Sequence, residues 1–453
     1  MRILMLSYYY PPHAAVGATR AYLVSRHLAA RGHDVTVVAA KPQPGGIDET
    51  KFPDWEAPLD GAVRVIRTGA AEGLMAKVKE GVYRLAGSTG GTGGANYQAT
   101  VTAASRRTRD AGWGGRLAAE VLRIARSDLI PEREATWNPE AVAVGLREIR
   151  RARPDAIYVC ARPFVSFYAG AILKALTGIP LVLDLRDPWS LLPHHDAVTR
   201  RIARSQERPL FAYADKILIN TRTSLRRYQE LYGPQIAGKL FCVPNAMSAF
   251  PETENGAPPR FPSNFVVMHG GNLYRRSITP LLLAFERLCE ERGLDPTQAQ
   301  LRQVGRIDVD TFDPDVVERL GDRMCIEPFV PFADFQRFVD EAAVLVVLLG
   351  PAHWLRIPAK FYECLAAGRA VLFMGPPDHE VVQVLEEELE CGVGANAGDP
   401  EDLYRALVRL YDEVVPRLRA RGVPREKLRA WHWESRIEEI EAVLFEVSGE
   451  LYR

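Results

Sequence analysis

The sequence predicts an α/β protein of two doubly wound domains, on three observations. Short apolar runs alternate with amphipathic stretches along most of the chain. A proline-rich stretch at 249–264 interrupts that rhythm, which restarts beyond it. At 453 residues the chain also exceeds the size at which one core usually keeps growing. Alternating β and α units give a parallel sheet covered by helices. Ligands of such sheets sit outside the carboxyl ends of the strands, which would place them in a cleft between two facing domains.

The elements follow in order. Residues 2–8 predict a first strand buried on both faces, 17–31 a helix closed by Gly32, and 34–40 a second strand. Further strands are expected at 157–161, 181–185, 216–220 and 240–244, each separated by a helix. After the break come strands at 265–270, 301–305, 324–330, 344–350 and 370–375, with helices at 279–290, 358–367 and 378–389. The boundaries are therefore 1–250 for the first domain, with an irregular insertion at about 72–150, then 251–264 for the linker and 265–426 for the second domain. A last helix at 427–453 is placed to cross back to the first domain.

Composition narrows the function classes. Lysine plus arginine and aspartate plus glutamate number 57 each, so overall charge gives no argument for nucleic-acid binding. Six scattered cysteines without a CxxC, each in or beside an apolar run, predict reduced core thiols and a cytoplasmic setting. The first residues lack a signal-peptide pattern, and no apolar run reaches the length of a membrane helix. Residues 86–95 are glycine-rich and predict a surface loop. Residues 101–127 interleave six arginines with Trp113 and aliphatic side chains. The favoured expectation there is a solvated helix packed on its own domain; the other is peripheral contact with an anionic membrane face.

The strongest local signal is 354–373, WLRIPAKFYECLAAGRAVLF. Pro358 suits the first position of a helix and Gly368 the position just past its end. The helix amides would face the ligand edge and suit a diphosphate. Lys360 lies in the first turn, where a cation is unfavourable unless an anion is near. Glu363 shares its face and could accept two hydroxyl hydrogen bonds, as from a ribose; the alternative is a surface Lys–Glu pair.

PAKFYECLAAGRAVL resembles the donor-site helix of family 4 of the retaining glycosyltransferases. The downstream HEVVQVLEEELECGVGANAGDPEDLYRAL and the opening RILMLSYYYPPHAAVGATRAYLVSRHLAARGHDVTVVAA are similar to the same family. So are residues 154–190, 214–228 and 241–246, and MHGGNLYRRSITPLLLAF at 268–285. The resemblance implies the GT-B fold, two facing Rossmann-like domains, and retaining transfer of a sugar from a nucleotide-sugar donor. It implies no obligatory metal and no cofactor beyond that co-substrate, and leaves open a glycan or lipid-linked acceptor of the cell-envelope or polysaccharide type.

Site residues carried by the resemblance are Gly17, Gly271, Asn272, Arg275, Arg276, Phe329, Val330, Lys360 and Glu363 for the donor. Arg276 and Lys360 would stabilise the leaving diphosphate, and Phe329 and Val330 would hold the base through backbone groups. Asp184, Arg186 and Asp187 end a strand at the ligand edge, and Asp187 is the third catalytic candidate. The alternative for that trio is an ion-pair network bracing the strand end.

Two departures stand out. The family's first glutamate, eight residues before Glu363, is here Leu355, and 160–167 holds no histidine. A sugar-nucleotide epimerase of the same fold and an inactive scaffold therefore stay open. Asp308-Val309-Asp310 reads as an acidic loop and helix cap rather than a metal motif, and His194-His195-Asp196 lacks a third spaced ligand.

Overall fold

The computed structural model describes residues 1–13, 17–42, 63–69, 133–193, 195–251, 260–273, 277–307, 312–350 and 353–449. These divide into two compact units. The first comprises Met1–Asn220, Ser224–Val243 and Glu439–Arg453; the second comprises Thr221–Thr223 and Pro244–Glu438.

The first unit holds strands β1 (Arg2–Leu6), β2 (Asp34–Ala40), β3 (Val63–Thr68), β4 (Ala156–Ala161), β5 (Leu181–Leu185), β6 (Lys216–Ile219) and β7 (Leu240–Cys242). They form one sheet in the order β3-β2-β1-β4-β5-β6-β7, with every pairing parallel. β4 and β5 are buried along their whole length, so they lack polar alternation. The chain leaves β1 toward β2 and β3, then returns to build β4 to β7 on the other side. The switch point thus lies at the carboxyl ends of β1 and β4.

The second unit repeats the plan with β8 (Phe265–Gly270), β9 (Ala299–Val304), β10 (Met324–Glu327), β11 (Val344–Leu348), β12 (Ala370–Met374) and β13 (Gly392–Ala395). Their order is β10-β9-β8-β11-β12-β13, all parallel, with the switch point between β8 and β11. Each unit is Rossmann-like and has its own core: Leu183, Ile217 and Phe211 lie in one, Val346, Leu372 and Phe285 in the other.

Several elements differ from the sequence expectation. Residues 138–151, placed in the irregular insertion, form the helix Asn138–Arg151. It buries Ala141, Gly145, Glu148 and Ile149, a helical stripe whose small and charged members mask its periodicity. The strand expected at 324–330 stops at Glu327. The helix expected at 378–389 is Glu380–Gln383, continued as a π turn through Glu388. The last helix is Trp433–Ser448; in its second half Glu441 bonds Arg31 at 2.7 Å and His33 at 2.6 Å. The stretches 86–95 and 101–127 lie outside the described residues.

Candidate functional site

The site of the second unit starts from the end of β8. The helix Ala359–Ala366 joins β11 to β12 and so begins beside that end. It buries Phe361, Tyr362, Cys364 and Leu365, roughly 1.5–3 kcal/mol for each of the larger apolar side chains. That leaves Lys360 and Glu363 on its outer side. Pro358 occupies the N-cap rather than the first helical position, with no side-chain cap, and Gly368 follows the helix at φ +64°. A cap lacking a side-chain acceptor leaves the first-turn amides without one of their usual partners.

Lys360 reaches back across the turn, and its ammonium donates to the carbonyl of Gly270. Gly271 has φ +112°, and a Cβ there would stand 2.8 Å from Lys360 Nζ. Gly305, at φ +128°, brings the end of β9 so close that its Cβ would meet the Gly271 carbonyl at 2.7 Å. These two glycines are needed both for backbone conformation and for space. The turn is further fixed by Gly271 N donating to Val304 O at 2.7 Å and by Gln303 Nε2 donating to Gly271 O at 2.9 Å. Gln303 is fully buried; its Oε1 faces His269 Nδ1 at 2.8 Å, which makes that nitrogen the donor.

Not every candidate is brought to this point in the same way. Asn272 Oδ1 accepts from Arg306 N at 3.3 Å, so this side chain helps to hold the turn. Glu363 is exposed and makes no hydrogen bond or ion pair with the described residues. The alternative surface pair with Lys360 is thus not formed. Phe329, 69% exposed, and half-buried Val330 lie in the loop after β10, not in a strand. Arg275 and Arg276 lie outside the described residues, as do Asp308 to Asp310 and His194. Asp313 caps the helix Pro314–Leu320, and Asp196 caps Ala197–Tyr213 through Thr199 N at 2.7 Å.

Sequence reasoning missed three residues here: Gln303, Gly305 and Phe335. The Phe335 ring lies against Gly270, where a Cβ would approach within 2.3 Å. Only Gly305 carried a signal, a glycine directly after a buried strand. Leu355, in place of the family's first acid, is buried, and its carbonyl accepts from Thr221 Oγ1 at 3.1 Å.

The carboxyl edge of the first unit is assembled from long side chains. Gly17 opens the 14-residue helix Gly17–Ala30, and the Arg186 guanidinium fills the space where its Cβ would be, 2.7 Å from Nη2. Arg186 Nε donates to Ala161 O, and Asn220 Nδ2 donates to Arg186 O at 2.8 Å. Asp187 pairs with Arg162 at 3.5 Å. Asp184 follows the alternative given for the trio, an ion pair bracing the strand end. It is fully buried inside the sheet, pairs with buried Arg20 at 2.8 Å and accepts from Tyr158 at 2.5 Å. An aspartate one residue before the strand end still points into the layer beneath the helices, so it braces the strand. Burial pushes the neighbouring Cys160 thiol up to about 12, with the Asp184 charge adding to it. All six cysteines are free.

Residues 91–246 match the family described as Glycosyl transferase 4-like domain. No curated protein matches the sequence. Among solved structures the chain is similar to sucrose-phosphate synthase from Thermosynechococcus elongatus, with a TM-score of 0.57 and 16% identity over 99% of this chain and 100% of that one. It is similar to a glycosyltransferase from Rickettsia africae, with a TM-score of 0.53 and 10% identity over 98% of each chain. It is also similar to a UDP-forming α,α-trehalose-phosphate synthase from Burkholderia xenovorans in complex with glucose-6-phosphate, with a TM-score of 0.53 and 13% identity over 98% and 100%. The fold is GT-B. With the family match over 91–246, it supports a glycosyltransferase. No helix among the described residues is long and apolar enough to cross a membrane.

Proposed function

We propose that the protein transfers a sugar, with retention, from a nucleoside-diphosphate donor to a hydroxyl acceptor. The observation that carries this reading is the Lys360 ammonium resting on the Gly270 carbonyl at the switch point of the second sheet, beside an uncapped helix N-terminus. A diphosphate would offer that ammonium several charged oxygens, which bind it more strongly than a carbonyl does. The first-turn amides of Ala359–Ala366 would bind the same group.

In this reading the exposed Glu363 carboxylate accepts the ribose hydroxyls, and the 328–330 loop holds the base through backbone groups of Phe329 and Val330. Arg275 and Arg276 would add charge to the diphosphate site. As the anomeric C–O bond breaks, negative charge grows on the departing diphosphate, and Lys360 and Arg276 stabilise it. The diphosphate oxygen takes the acceptor's proton on the face it leaves, and the acceptor oxygen bonds to the anomeric carbon there. The acceptor belongs to the carboxyl edge of the first unit, where Gly17, Arg186 and Asp187 lie. Related proteins named for sucrose-phosphate and trehalose-phosphate synthesis make a sugar or sugar-phosphate acceptor the first to try. A lipid-linked acceptor, with membrane contact through 101–127, is the second, tested by flotation with anionic vesicles.

The test is a thermal-shift screen against UDP, GDP, ADP and TDP and their common sugar conjugates, followed by turnover of the best donor with candidate acceptors. A ligand at 100 times its dissociation constant stabilises by about 2.7 kcal/mol. A shift with one nucleotide family, and a product whose anomeric signal matches the donor's, is the expected result. Conversion of the donor with no acceptor present would instead identify an epimerase. A shift without any turnover would leave a nucleotide-binding scaffold, and no shift at all would end the reading.

A further inference from the structure

Glu207 lies on the helix Ala197–Tyr213, is fully buried, and has no part in the reaction just described. Its carboxylate accepts four hydrogen bonds. Oε2 accepts from Ser190 N at 2.9 Å and from the Tyr228 hydroxyl at 2.9 Å. Oε1 accepts from the Ser190 hydroxyl at 2.7 Å and from the Tyr232 hydroxyl. The Tyr228 oxygen accepts in turn from Trp189 N at 2.7 Å. Two consecutive amides of the loop after β5 therefore end on one buried network. Burial pushes the Glu207 carboxyl up, while its hydrogen-bond donors pull the other way.

The same loop is held on its other side. The Trp189 ring stacks on Phe164 with centroids 4.9 Å apart and planes 7° from parallel. The Arg162 guanidinium lies 5.2 Å over that Phe164 ring, and Arg162 pairs with Asp187. Every step from Glu207 to Asp187 is thus a direct contact or a neighbouring residue. A hydrophobic side chain at 207 could fill the space, but would leave Ser190 N–H and three hydroxyls without their acceptor.

We propose that Glu207 is a positioning residue for the acceptor edge of the first unit: by fixing Trp189 and Ser190 it sets Arg186 and Asp187. The functional part of this inference rests on the acceptor role given to Asp187 above. What the site requires is a planar group that hydrogen-bonds through both of its ends, rather than a charge. In Glu207→Gln, an amide oxygen in the place of Oε2 keeps the bonds from Ser190 N and Tyr228. The NH2 in the place of Oε1 donates to the Ser190 and Tyr232 hydroxyls, which can turn to accept. Glu207→Ala removes all four acceptor sites. Tyr228→Phe keeps the shape, frees Trp189 N and takes one of the four donors from Glu207.

The test combines hydrogen exchange of residues 186–192 with nucleotide affinity and turnover of whichever UDP-, GDP-, ADP- or TDP-sugar the wild type consumes. Glu207→Ala is expected to speed exchange at 189 and 190 by about tenfold or more. It should lower kcat by about tenfold while nucleotide affinity stays within about twofold. Tyr228→Phe should move both in the same direction by less, and it carries the test if Glu207→Ala does not fold. Glu207→Gln should stay within about threefold of wild type in both readouts. Wild-type exchange at 189 and 190 in both Glu207→Ala and Tyr228→Phe would overturn the anchoring, as would Glu207→Gln failing like Glu207→Ala. A fall in turnover matched by a fall in nucleotide affinity would overturn the positioning role. If the wild type consumes none of these sugars, the proposed function fails instead, and the exchange measurement still decides the anchoring.

Discussion

The two carboxyl edges of the molecule are built on one topology from opposite materials. In the second unit the described edge is largely backbone: Gly305 packs on Gly271, Gly270 lies against the Phe335 ring, and the Lys360 ammonium donates to the Gly270 carbonyl. In the first unit the edge is side chain: Arg20 with Asp184, Arg162 with Asp187, and Arg186 against Gly17. The cation of the glycine-built edge donates to a backbone carbonyl. Arg20 and Arg162 already have carboxylate partners, and their first effect is to hold shape. In the proposed reading one edge takes the charged leaving group and the other the acceptor.

The largest expected effect tests the holding role of the first edge. Asp184→Ala leaves Arg20 buried without the Asp184 carboxylate, beside Tyr158 and the Val243 carbonyl. Removing one member of a buried pair costs about 3–5 kcal/mol. Urea unfolding followed by a probe in the first unit should show that loss. Replacing both partners, as in Arg20→Met with Asp184→Leu, should recover most of it, because the pair must repay its own desolvation. If the single and double variants are equally unstable, the pair is not the brace.

Lys360→Ala makes the matching test on the second edge. Turnover should fall by about two to three orders of magnitude, the loss of one strong contact to developing charge. Folding stability should barely change, since the lysine is only half-buried and its bond to the Gly270 carbonyl is a single contact at the edge of the sheet. Near-normal turnover would remove Lys360 from the mechanism, and a large drop in melting temperature would make it a brace like Asp184.

The contrast explains what could be read from the sequence. The second edge is local: PAKFYECLAAG places cation, carboxylate, cap and closing glycine within eleven residues, so the helix was legible, with Pro358 one position out and the roles of Lys360 and Glu363 left open by spacing. The first edge is assembled from residues 20, 162, 184, 186 and 207, and no window holds them. Asp184 read like its neighbours Arg186 and Asp187, because nothing in LVLDLRD tells which side chain turns inward. Glu207 sits in SQERPL, a polar run that looks solvated. The alternation of strand and helix was legible, but the strand Val63–Thr68 and the helix Asn138–Arg151 were not, the helix because its buried stripe contains a glycine and a glutamate. Gln303 and Phe335 were missed because their contacts to Gly271 and Gly270 cross between elements far apart in the sequence.

A smaller effect separates the units by pH. Burial lowers His379 to about 4, and its ring is held as a neutral group between Val381 N and Arg356 O. The unfolded histidine titrates near 6.5. A depressed folded value means that its stabilising effect is complete above about pH 6.5 and is lost as the pH falls toward 4. Between pH 7.5 and 5 this one group should remove on the order of 2 kcal/mol from the second unit. His379→Asn keeps a capping side chain and removes the titration. Its melting temperature should therefore change less between pH 7.5 and 5 than that of the wild type, and parallel curves would assign the acid sensitivity elsewhere.

The smallest effect asks whether Glu363 belongs to the glycine-built edge at all. It is exposed and unpaired among the described residues, so Glu363→Gln should leave folding unchanged. If the carboxylate accepts ribose hydroxyls, the variant keeps one acceptor oxygen and loses charge assistance. Nucleotide affinity should then fall by about tenfold, near 1.4 kcal/mol. The 2′-deoxy form of the same nucleotide supplies the control. Wild type should discriminate against it, and Glu363→Gln should discriminate less, because the lost hydroxyl no longer has its charged partner. Equal discrimination by both proteins would put the ribose elsewhere and leave Lys360 alone on that face of the helix.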